Sequence, residues 1–391
     1  MHLGFHYHLP AFEENGKIYT IAFQGLFIDS LAEYCDQITL FLFTPTQAER
    51  KEMQYAIHSK KVKLVSLMKH YNIPLRILLY PTIRKQIKTM INTLDILLMR
   101  APTPLLPLIT KDIKGKIPFA YLVVGEMSLH VDSIKQQEWR KSLIRQYVNW
   151  NESNQEKHAK DALIFANSSA AFEKYKTLSN NCVQVKTTTL RNEDFYFRED
   201  TCLDPPYQIL FTGRIEQEKG LLEITEAIGK LHQESIDCRL NIVGWILPKD
   251  PTEILIRKIA SEYGIEDKII FHGFKSAGEE LFSFYKAADL FIVASQNNEG
   301  FPRTIWEALA NSVPVICTPV GSISQVLKNE YNAIFIEPKN SESIKEKIKF
   351  LIQNPSKRKE IIQNGLETVK EVTLEIQSKK MVDAIKSFIT P

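Results

Sequence analysis

Two positively charged side chains follow a buried strand near the middle of the chain. Arg214 and Lys219 stand in the segment Gly213-Arg214-Ile-Glu-Gln-Glu-Lys219-Gly220, directly after an apolar run at 208–212. The planar guanidinium of Arg214 suits phosphate oxygens, and Lys219 adds a second positive charge at the expected start of a helix. Gly213 permits a tight turn with close backbone approach. The segment therefore suits a diphosphate, and a surface Arg and Lys without a ligand is the alternative for this motif taken alone.

A second polar segment, which runs from Ser295 to Leu309, follows a later apolar run. Pro302 suits the first turn of a helix, so that the free N–H groups around Arg303 and Thr304 would face an anion. Glu307 lies one turn further on and, because side chains lean toward the amino end of a helix, it can reach the same ligand. Its carboxylate could accept hydrogen bonds from a ribose diol. Glu299, on the loop, would accept hydrogen bonds from hydroxyls of the group that is attached to the phosphate. A local cap or ion pair of Glu307 is the alternative.

Both segments belong to a pattern of short apolar runs that alternate with segments of helix length. The runs are apolar at consecutive positions, as strands buried on both faces of a parallel sheet are. A stripe at Leu221, Ile224, Ile228 and Leu231 predicts a helix that packs on that sheet. The pattern therefore predicts a doubly wound α/β domain, in which ligands bind at the carboxyl ends of the strands. The runs lie at 208–212, 239–243, 268–272, 290–294, 313–317 and 333–337.

The first half of the chain predicts a second α/β domain, with strands at 38–43, 96–99, 119–124 and 162–166. The acidic, non-periodic segment 190–206 ends in a Pro pair and is interpreted as a linker. The predicted domains are 1–190 and 207–365. A terminal helix at 366–391 is expected to pack back toward the first domain.

The composition excludes several classes of protein. A chain of 391 residues is too long for one ordinary core, and 44% hydrophobic with 24% charged residues is typical of globular proteins. A net charge of +3 argues against a dedicated nucleic-acid binder. Five scattered cysteines without a Cys-x-x-Cys pair indicate neither a disulfide framework nor a zinc site. With no secretory signal or membrane span in evidence, a cytoplasmic location is expected.

Positive charge is concentrated between residues 50 and 116, where 14 Lys or Arg face three Asp or Glu. Within this region, 83–99 interleaves basic and apolar residues, as helices on anionic membrane surfaces do. An amphipathic helix that covers a sheet and keeps a solvated basic face explains the pattern equally well.

Taken together, Gly213-Arg214, Lys219-Gly220 and the Glu299–Glu307 spacing resemble the signature of the retaining glycosyltransferases of family 4. That family has the GT-B fold, in which two Rossmann-like domains face a cleft. The resemblance implies that 1–190 is the acceptor-side domain and that 207–365 is the nucleotide-sugar-binding domain. The likeness is close over 207–354, including Val243-Gly244 and Phe271-His272-Gly273-Phe274, and loose over the first half. It implies that Arg214 and Lys219 hold the donor diphosphate, Glu307 the ribose and Glu299 the donor sugar. It further implies donor contacts at Gly213, Gly244, Gly273, Phe274, Gly300, Phe301, Arg303 and Thr304.

The amino-terminal half departs from the family in two places. Only Gly16 stands where members often carry a Gly-Gly pair, and Gly125-Glu126 follows the strand after which many members have a His. Glu126 is therefore a candidate for orienting the sugar, with His6, His8 and His130 as rivals.

The resemblance implies transfer of a sugar from a UDP- or GDP-sugar to a hydroxyl of a glycan or lipid-linked acceptor. Synthesis of a cell-surface polysaccharide or glycolipid is the expected setting, with peripheral contact to the inner membrane face through the basic 50–116 region. No Asp-x-Asp occurs, so neither a metal-held diphosphate nor a cofactor is expected. A catalytically silent nucleotide-sugar-binding subunit is the alternative. A glycosidase that used Glu299 and Glu307 would leave Arg214 and Lys219 without a role.

Overall fold

The computed structural model describes residues 1–125, 128, 137–247, 250–297 and 301–390. It divides into two compact units. The first comprises Met1–Thr187 and the carboxy-terminal segment from Leu374, and the second comprises Thr188–Thr373.

The first unit is built on a parallel sheet with the strand order β10-β9-β8-β7-β1-β4-β6. Its strands, with those of a small antiparallel sheet of order β2-β3-β5, are β1 (His2–His6), β2 (Phe12–Glu14), β3 (Lys17–Thr20), β4 (Gln37–Thr44), β5 (Tyr55–Ala56), β6 (Val62–Lys69), β7 (Ile96–Ala101), β8 (Phe119–Val123), β9 (Leu163–Ala166) and β10 (Cys182–Gln184). Burial is nearly continuous along β4 and β8, as the apolar runs predicted. Because β1 lies between β4 and β7, the chain winds in both directions from it, which makes this a doubly wound sheet.

The helices of the first unit cover this sheet. They are α1 (Ala22–Glu33), α2 (Gln47–Arg50), α3 (Ile73–Leu78), α4 (Tyr80–Met90), α5 (Leu106–Ile113), α6 (Glu138–Ala159) and α7 (Ser169–Lys176). In α4 the apolar residues Ile83 and Ile87 are buried in the core, and Arg84, Lys85 and Lys88 are exposed. The apolar stripe thus packs inside the unit, as the sheet-covering alternative predicted, and only the basic flank remains on the surface.

The second unit is a parallel sheet of order β13-β12-β11-β14-β15-β16 between two layers of helices. Its strands are β11 (Tyr207–Thr212), β12 (Cys238–Val243), β13 (Ile269–Gly273), β14 (Leu290–Val293), β15 (Val315–Cys317) and β16 (Ile334–Phe335). Its helices are α8 (Leu221–Gln233), α9 (Thr252–Tyr263), α10 (Glu279–Ala287), α11 (Arg303–Ala310), α12 (Ser341–Gln353) and α13 (Pro355–Val369). The predicted stripe of α8 is buried against the sheet. Two Rossmann-like α/β domains are therefore present, as predicted.

The acidic segment before β11, interpreted from the sequence as a linker, lies in the second unit. Asp200 accepts hydrogen bonds from the buried Arg358 at 2.7 and 3.0 Å. The backbone N–H groups of Cys202 and Gln208 both donate to Asp289, each at 2.7 Å. These bonds fix the segment to the body that it precedes.

The chain returns to the first unit through its last helix, α14 (Leu374–Ile389). This helix packs against α1, and Gln377 Oε1 accepts a hydrogen bond from the Lys186 N–H at 2.8 Å. Among the described residues, no helix combines the length and the apolar character that crossing a bilayer requires.

Candidate functional site

Three glycines lie side by side at the carboxyl edge of the second sheet. Gly213 and Gly244 follow β11 and β12, and Gly273 ends β13. The Gly213 N–H donates to Val243 O at 3.0 Å, and the Gly244 N–H donates to Gly273 O at 2.9 Å. A Cβ on Gly244 would lie only 1.7 Å from Gly213 O, so this approach requires glycine. The three donor-binding glycines predicted in this sheet are thus neighbours on one edge.

The loop after β11 carries the two predicted phosphate-binding cations. Arg214 has a half-exposed side chain and pairs with Glu216, with 3.2 Å between Nη2 and Oε1. A short 3-10 turn at Gln217–Lys219 leads into Gly220, which has a φ of +72°. A Cβ on Gly220 would meet Ala294 O at 2.2 Å, so the loop packs directly against the end of β14.

The loops after β11 and β14 are joined by hydrogen bonds. The Gln296 N–H donates to Glu218 O, and Gln296 Nε2 donates to Glu223 Oε1 in the first turn of α8, both at 2.8 Å. The two polar segments singled out in the sequence are therefore brought together, because β11 and β14 are neighbours in the sheet. Glu299 and Gly300, which the prediction places in the second loop, lie outside the described residues.

Helix α11 begins just after that second loop. Pro302 stands at its N-cap and Arg303 is its first residue, so the proline lies one position earlier than predicted. A proline side chain offers no acceptor, and the first-turn amides at Arg303 and Thr304 are not capped by it. The Phe301 ring stacks on Trp306 with 4.1 Å between centroids.

Glu307, also in α11, presents a buried carboxylate that is held by hydroxyl groups. Its side chain is 6% exposed. Tyr285 OH donates to Oε2 at 2.8 Å, and Thr189 Oγ1 donates to Oε1 at 3.1 Å. Neither partner lies in α11, so Glu307 is not occupied by a local cap or by a salt bridge in the described part of the chain. Since each carboxylate oxygen can accept two hydrogen bonds, further hydroxyl donors can be accommodated.

Tyr285 connects Glu307 to the loop after β11. Its hydroxyl lies 2.6 Å from Thr212 Oγ1, and because it donates to the carboxylate, Thr212 must be the donor in that contact. Burial and the Glu307 carboxylate raise the pKa of the Tyr285 phenol well above its usual value, so it remains a neutral donor. Thr212 immediately precedes Gly213, and a chain of hydrogen bonds therefore links the predicted ribose-binding carboxylate to the predicted phosphate loop.

Two exposed aromatic rings stand at the same edge. Trp245 follows Gly244 and Phe274 follows Gly273, and their side chains are 43% and 63% exposed. The Ile215 N–H donates to Trp245 O at 2.9 Å, which extends the pairing of β11 and β12 beyond the strand ends. The prediction included Phe274 and missed Trp245, although an aromatic residue directly after a strand-end glycine was a usable signal.

The predicted residues of the first unit have varied settings. Gly16, with a φ of +72°, forms the turn between β2 and β3 together with Asn15, and no atom lies within 4 Å of its would-be Cβ. His6 is fully buried, with Nδ1 2.8 Å from Phe41 O. Glu126 and His130 lie outside the described residues. Their roles, like that of Gly16, stay predictions. No group of three or more His, Cys, Asp or Glu that could hold a metal ion occurs among the residues that the structure describes.

The family model "Glycosyl transferases group 1" matches residues 193–368, which lie entirely within the second unit. The match therefore covers less than half of the chain, and it shows that this unit is similar to the group 1 glycosyltransferases. An uncharacterized glycosyltransferase, MJ1607, of Methanocaldococcus jannaschii is 31% identical over 168 residues, 43% of this chain and 41% of that protein. The capsular polysaccharide biosynthesis glycosyltransferase CapM of Staphylococcus aureus is 28% identical over 212 residues, 51% of this chain and 47% of that protein. The matching segment thus spans less than half of either relative.

The fold is shared over a longer stretch than the sequence. The crystal structure of HepE of Anabaena, in complex with UDP and glucose, superposes with a TM-score of 0.70 at 15% identity. The superposition covers 99% of this chain and 100% of HepE. This likeness shows that the chain has the GT-B fold with two Rossmann-like domains, which confirms the predicted fold class.

Proposed function

We propose that this protein is a retaining glycosyltransferase of family 4 that moves a sugar from a UDP- or GDP-sugar to a hydroxyl of a glycan or lipid-linked acceptor. One observation carries the proposal. The loop of Arg214 and Lys219, the loop after β14 and the buried Glu307 converge on one sheet edge, within the unit that matches the group 1 family. The name of CapM favours a polysaccharide setting, and HepE was crystallised with UDP and glucose.

The donor diphosphate takes the place of Glu216 as the partner of Arg214. The guanidinium of this ion pair is half exposed, so a doubly charged ligand can reach it and compete with the single carboxylate. Lys219 and the first-turn amides of α11 supply the remaining positive potential. Glu307 accepts hydrogen bonds from the ribose, and the exposed rings of Trp245 and Phe274 offer faces for the base.

Transfer then needs no acid to protonate the leaving group. As the bond between the anomeric carbon and the diphosphate breaks, Arg214, Lys219 and the helix amides stabilise the charge that develops. The acceptor hydroxyl forms its bond on the same face of the sugar and gives its proton to a phosphate oxygen of the leaving diphosphate. Attack on the leaving-group face retains the anomeric configuration. Charge stabilisation by side chains and amides makes the proposed reaction independent of metal ions and of any cofactor.

Calorimetric titration with UDP and GDP, followed by a screen of nucleotide sugars in excess chelator, tests the proposal. By analogy with the loss of one oxyanion donor, Arg214→Met should lower the rate by ~10²–10³-fold, or ~2.7–4 kcal/mol of barrier. Arg239→Met is the matched control, because Arg239 is an exposed arginine on β12 of the same unit. NMR of the product anomer tests retention.

Each outcome has a distinct meaning. Binding of a nucleotide without hydrolysis or transfer of any donor would favour the catalytically silent subunit. If neither UDP nor GDP bound, the proposed donor site would be refuted.

Peripheral attachment to the cytoplasmic face of a membrane, through the exposed basic residues of the 50–116 region, is tested by flotation with vesicles that contain or lack anionic lipid.

A further inference from the structure

A buried guanidinium without hydrogen bonds lies in the first unit. Arg76, in α3, is only 6% exposed, and its Nε and Nη1 are buried without a hydrogen-bond partner in the described ranges. Burial of an unpaired charge is costly, so buried arginines are normally paired. Arg358 of the second unit shows the usual arrangement, since it is 2% exposed and bound by Asp200 and two carbonyl oxygens. Arg76 can therefore donate hydrogen bonds that no described residue accepts.

Two histidines extend this feature. His8 Nδ1 and His70 Nε2 are also buried without hydrogen-bond partners in the part of the chain that is described. Phe43 lies beside both His70 and Arg76, with its ring centroid 5.6 Å from that of His70 and 5.1 Å from the Arg76 guanidinium carbon. The other His70 nitrogen, Nδ1, lies 2.5 Å from Glu49 Oε1. We call His8, His70 and Arg76 the Arg76 cluster.

Arg76 and Arg100 are the permanent positive charges near His8, whereas burial lowers the pKa of His8 and of His6 so that both are neutral near pH 7. Burial lowers the pKa of the His8 imidazole to about 3, and the charge of Arg76 acts in the same direction. Three further groups lower it as well: His70, His6 and Arg100. Glu49 is the carboxylate that faces the cluster, and it is already engaged by His70 and by the amide and hydroxyl of Thr46. The local excess of positive charge is what an anionic group would compensate.

The position of the cluster is that of a ligand site in this class of fold. His8 follows β1, His70 follows β6, and Phe43 lies at the end of the intervening strand β4. All three strands are parallel, so these residues meet at the carboxyl edge of the sheet. In doubly wound sheets ligands bind outside this edge, near the strand from which the chain winds both ways, which here is β1.

We propose that the Arg76 cluster binds an oxyanion, a phosphate or a carboxylate, that the acceptor carries. The planar guanidinium matches either group through two parallel N–H···O bonds, and the histidines supply additional donors. The assignment of the anion to the acceptor rests on the proposed glycosyl transfer. The existence of an anion site at the Arg76 cluster does not depend on that function.

The test uses the full chain with ¹⁵N-labelled histidine. Inorganic phosphate, and acetate in a separate series, are titrated while the ring signals of His8 and His70 are followed by NMR. We expect saturable shifts with at least one of the two anions, and their relative affinities distinguish a phosphate from a carboxylate. Arg76→Met should abolish the shifts. The control Arg84→Met, which alters an arginine paired with Asp112 at the surface, should leave them unchanged.

Thermal denaturation distinguishes a ligand-binding Arg76 from an arginine that only stabilises the fold. Because its charge is not compensated, we expect Arg76→Met to melt at a higher temperature than the wild type in phosphate-free buffer and to lose stabilisation by added anion. Absence of a saturable shift in the wild type, or shifts that persist in Arg76→Met, would each overturn the proposal. Should Arg76→Met not fold, the wild-type titration and Arg76→Lys, for which we expect weaker binding, still decide it. Calorimetry with UDP runs in parallel, so that a defect in the second unit is recognised separately.

Discussion

The Tyr285 hydroxyl provides a sensitive test of the proposed donor site, because a single atom joins Glu307 to Thr212, directly before the loop that carries Arg214 and Lys219. Tyr285→Phe removes the hydrogen bond to Glu307 Oε2 and leaves Thr212 Oγ1 without its 2.6 Å partner. The ring is fully buried, so the substitution changes neither the packing nor the surface. Any effect must come from the polar network.

The loss of stability in Tyr285→Phe is set by the charge on Glu307, the group that accepts the hydrogen bond. A hydrogen bond to an ionised group contributes about 1.5–3 kcal/mol, so Tyr285→Phe should lower the folding equilibrium constant by roughly 13- to 160-fold. Glu307 is only 6% exposed and water can scarcely replace the lost donor, which favours the upper part of this range. The carboxylate also loses one of its two restraints. UDP affinity of the folded variant should therefore fall by roughly 2- to 13-fold, equivalent to about 0.5–1.5 kcal/mol.

Urea denaturation and calorimetric titration with UDP measure the two effects separately. Tyr121→Phe is the matched control, because Tyr121 is equally buried and its hydroxyl contacts Thr110 Oγ1 at 2.9 Å in the first unit. That bond joins neutral groups, so we expect a loss of only about 0.5–1.5 kcal/mol and no change in UDP affinity. If Tyr285→Phe were destabilised as expected but bound UDP like the wild type, Glu307 would be a structural carboxylate and its assignment to the ribose would be refuted.

Three further predictions concern other parts of the molecule. Gly244→Ala places a Cβ 1.7 Å from a carbonyl oxygen and should destabilise the protein by at least ~1–3 kcal/mol in urea denaturation, whereas Gly125→Ala, with no atom within 4 Å, should not. Glu216→Gln removes the carboxylate that pairs with the half-exposed Arg214 and should raise UDP affinity by up to ~5-fold. Weaker binding would show that Glu216 helps to bind the ligand. Burial lowers the pKa of His6 from 6.5 to about 4, so between these pH values the unfolded chain binds a proton that the folded chain does not. The free energy of unfolding should therefore decline as the pH falls from 6.5 to 4, by up to ~1.4 kcal/mol per pH unit. His6→Asn should make the decline of the denaturation midpoint between pH 7 and 5 less steep, and an unchanged slope would contradict this.

The features predictable from the sequence were those encoded by neighbouring residues. Continuous apolar runs gave β11 and β14, and the polar residues after each run were correctly expected to meet, because adjacent parallel strands end at one edge. Tyr285 was not predictable in this way. It occupies a buried position of the amphipathic helix α10, where an aromatic residue normally fills the core, and its carboxylate partner is 22 residues away. Only the tertiary structure distinguishes that hydroxyl from a packing residue.

The same reasoning explains the acidic segment before β11. Acidic residues without periodicity usually indicate an exposed connection, yet Asp200 lies against Arg358, 158 residues later. An ion pair between residues so distant leaves no pattern in either local segment. The apolar stripe of α4 raised the opposite problem, because a helix on a membrane and a helix on a sheet have the same periodicity. Burial of Ile83 and Ile87 in the core decides which surface the stripe covers.

The two units differ in how their buried charged side chains are hydrogen-bonded, and this difference affects which ligands they can bind. Glu307 is buried with two hydroxyl donors from its own chain, so the cost of burying the carboxylate is largely offset within the second unit. Its carboxylate oxygens can accept further hydrogen bonds, which suits the hydroxyls of a sugar or ribose. Arg76 has no such compensation from hydrogen bonds in the described part of the first unit, and its capacity is for donation to an anion. Anions should therefore stabilise the first unit more than neutral sugars do, because only an anion offsets an uncompensated buried charge.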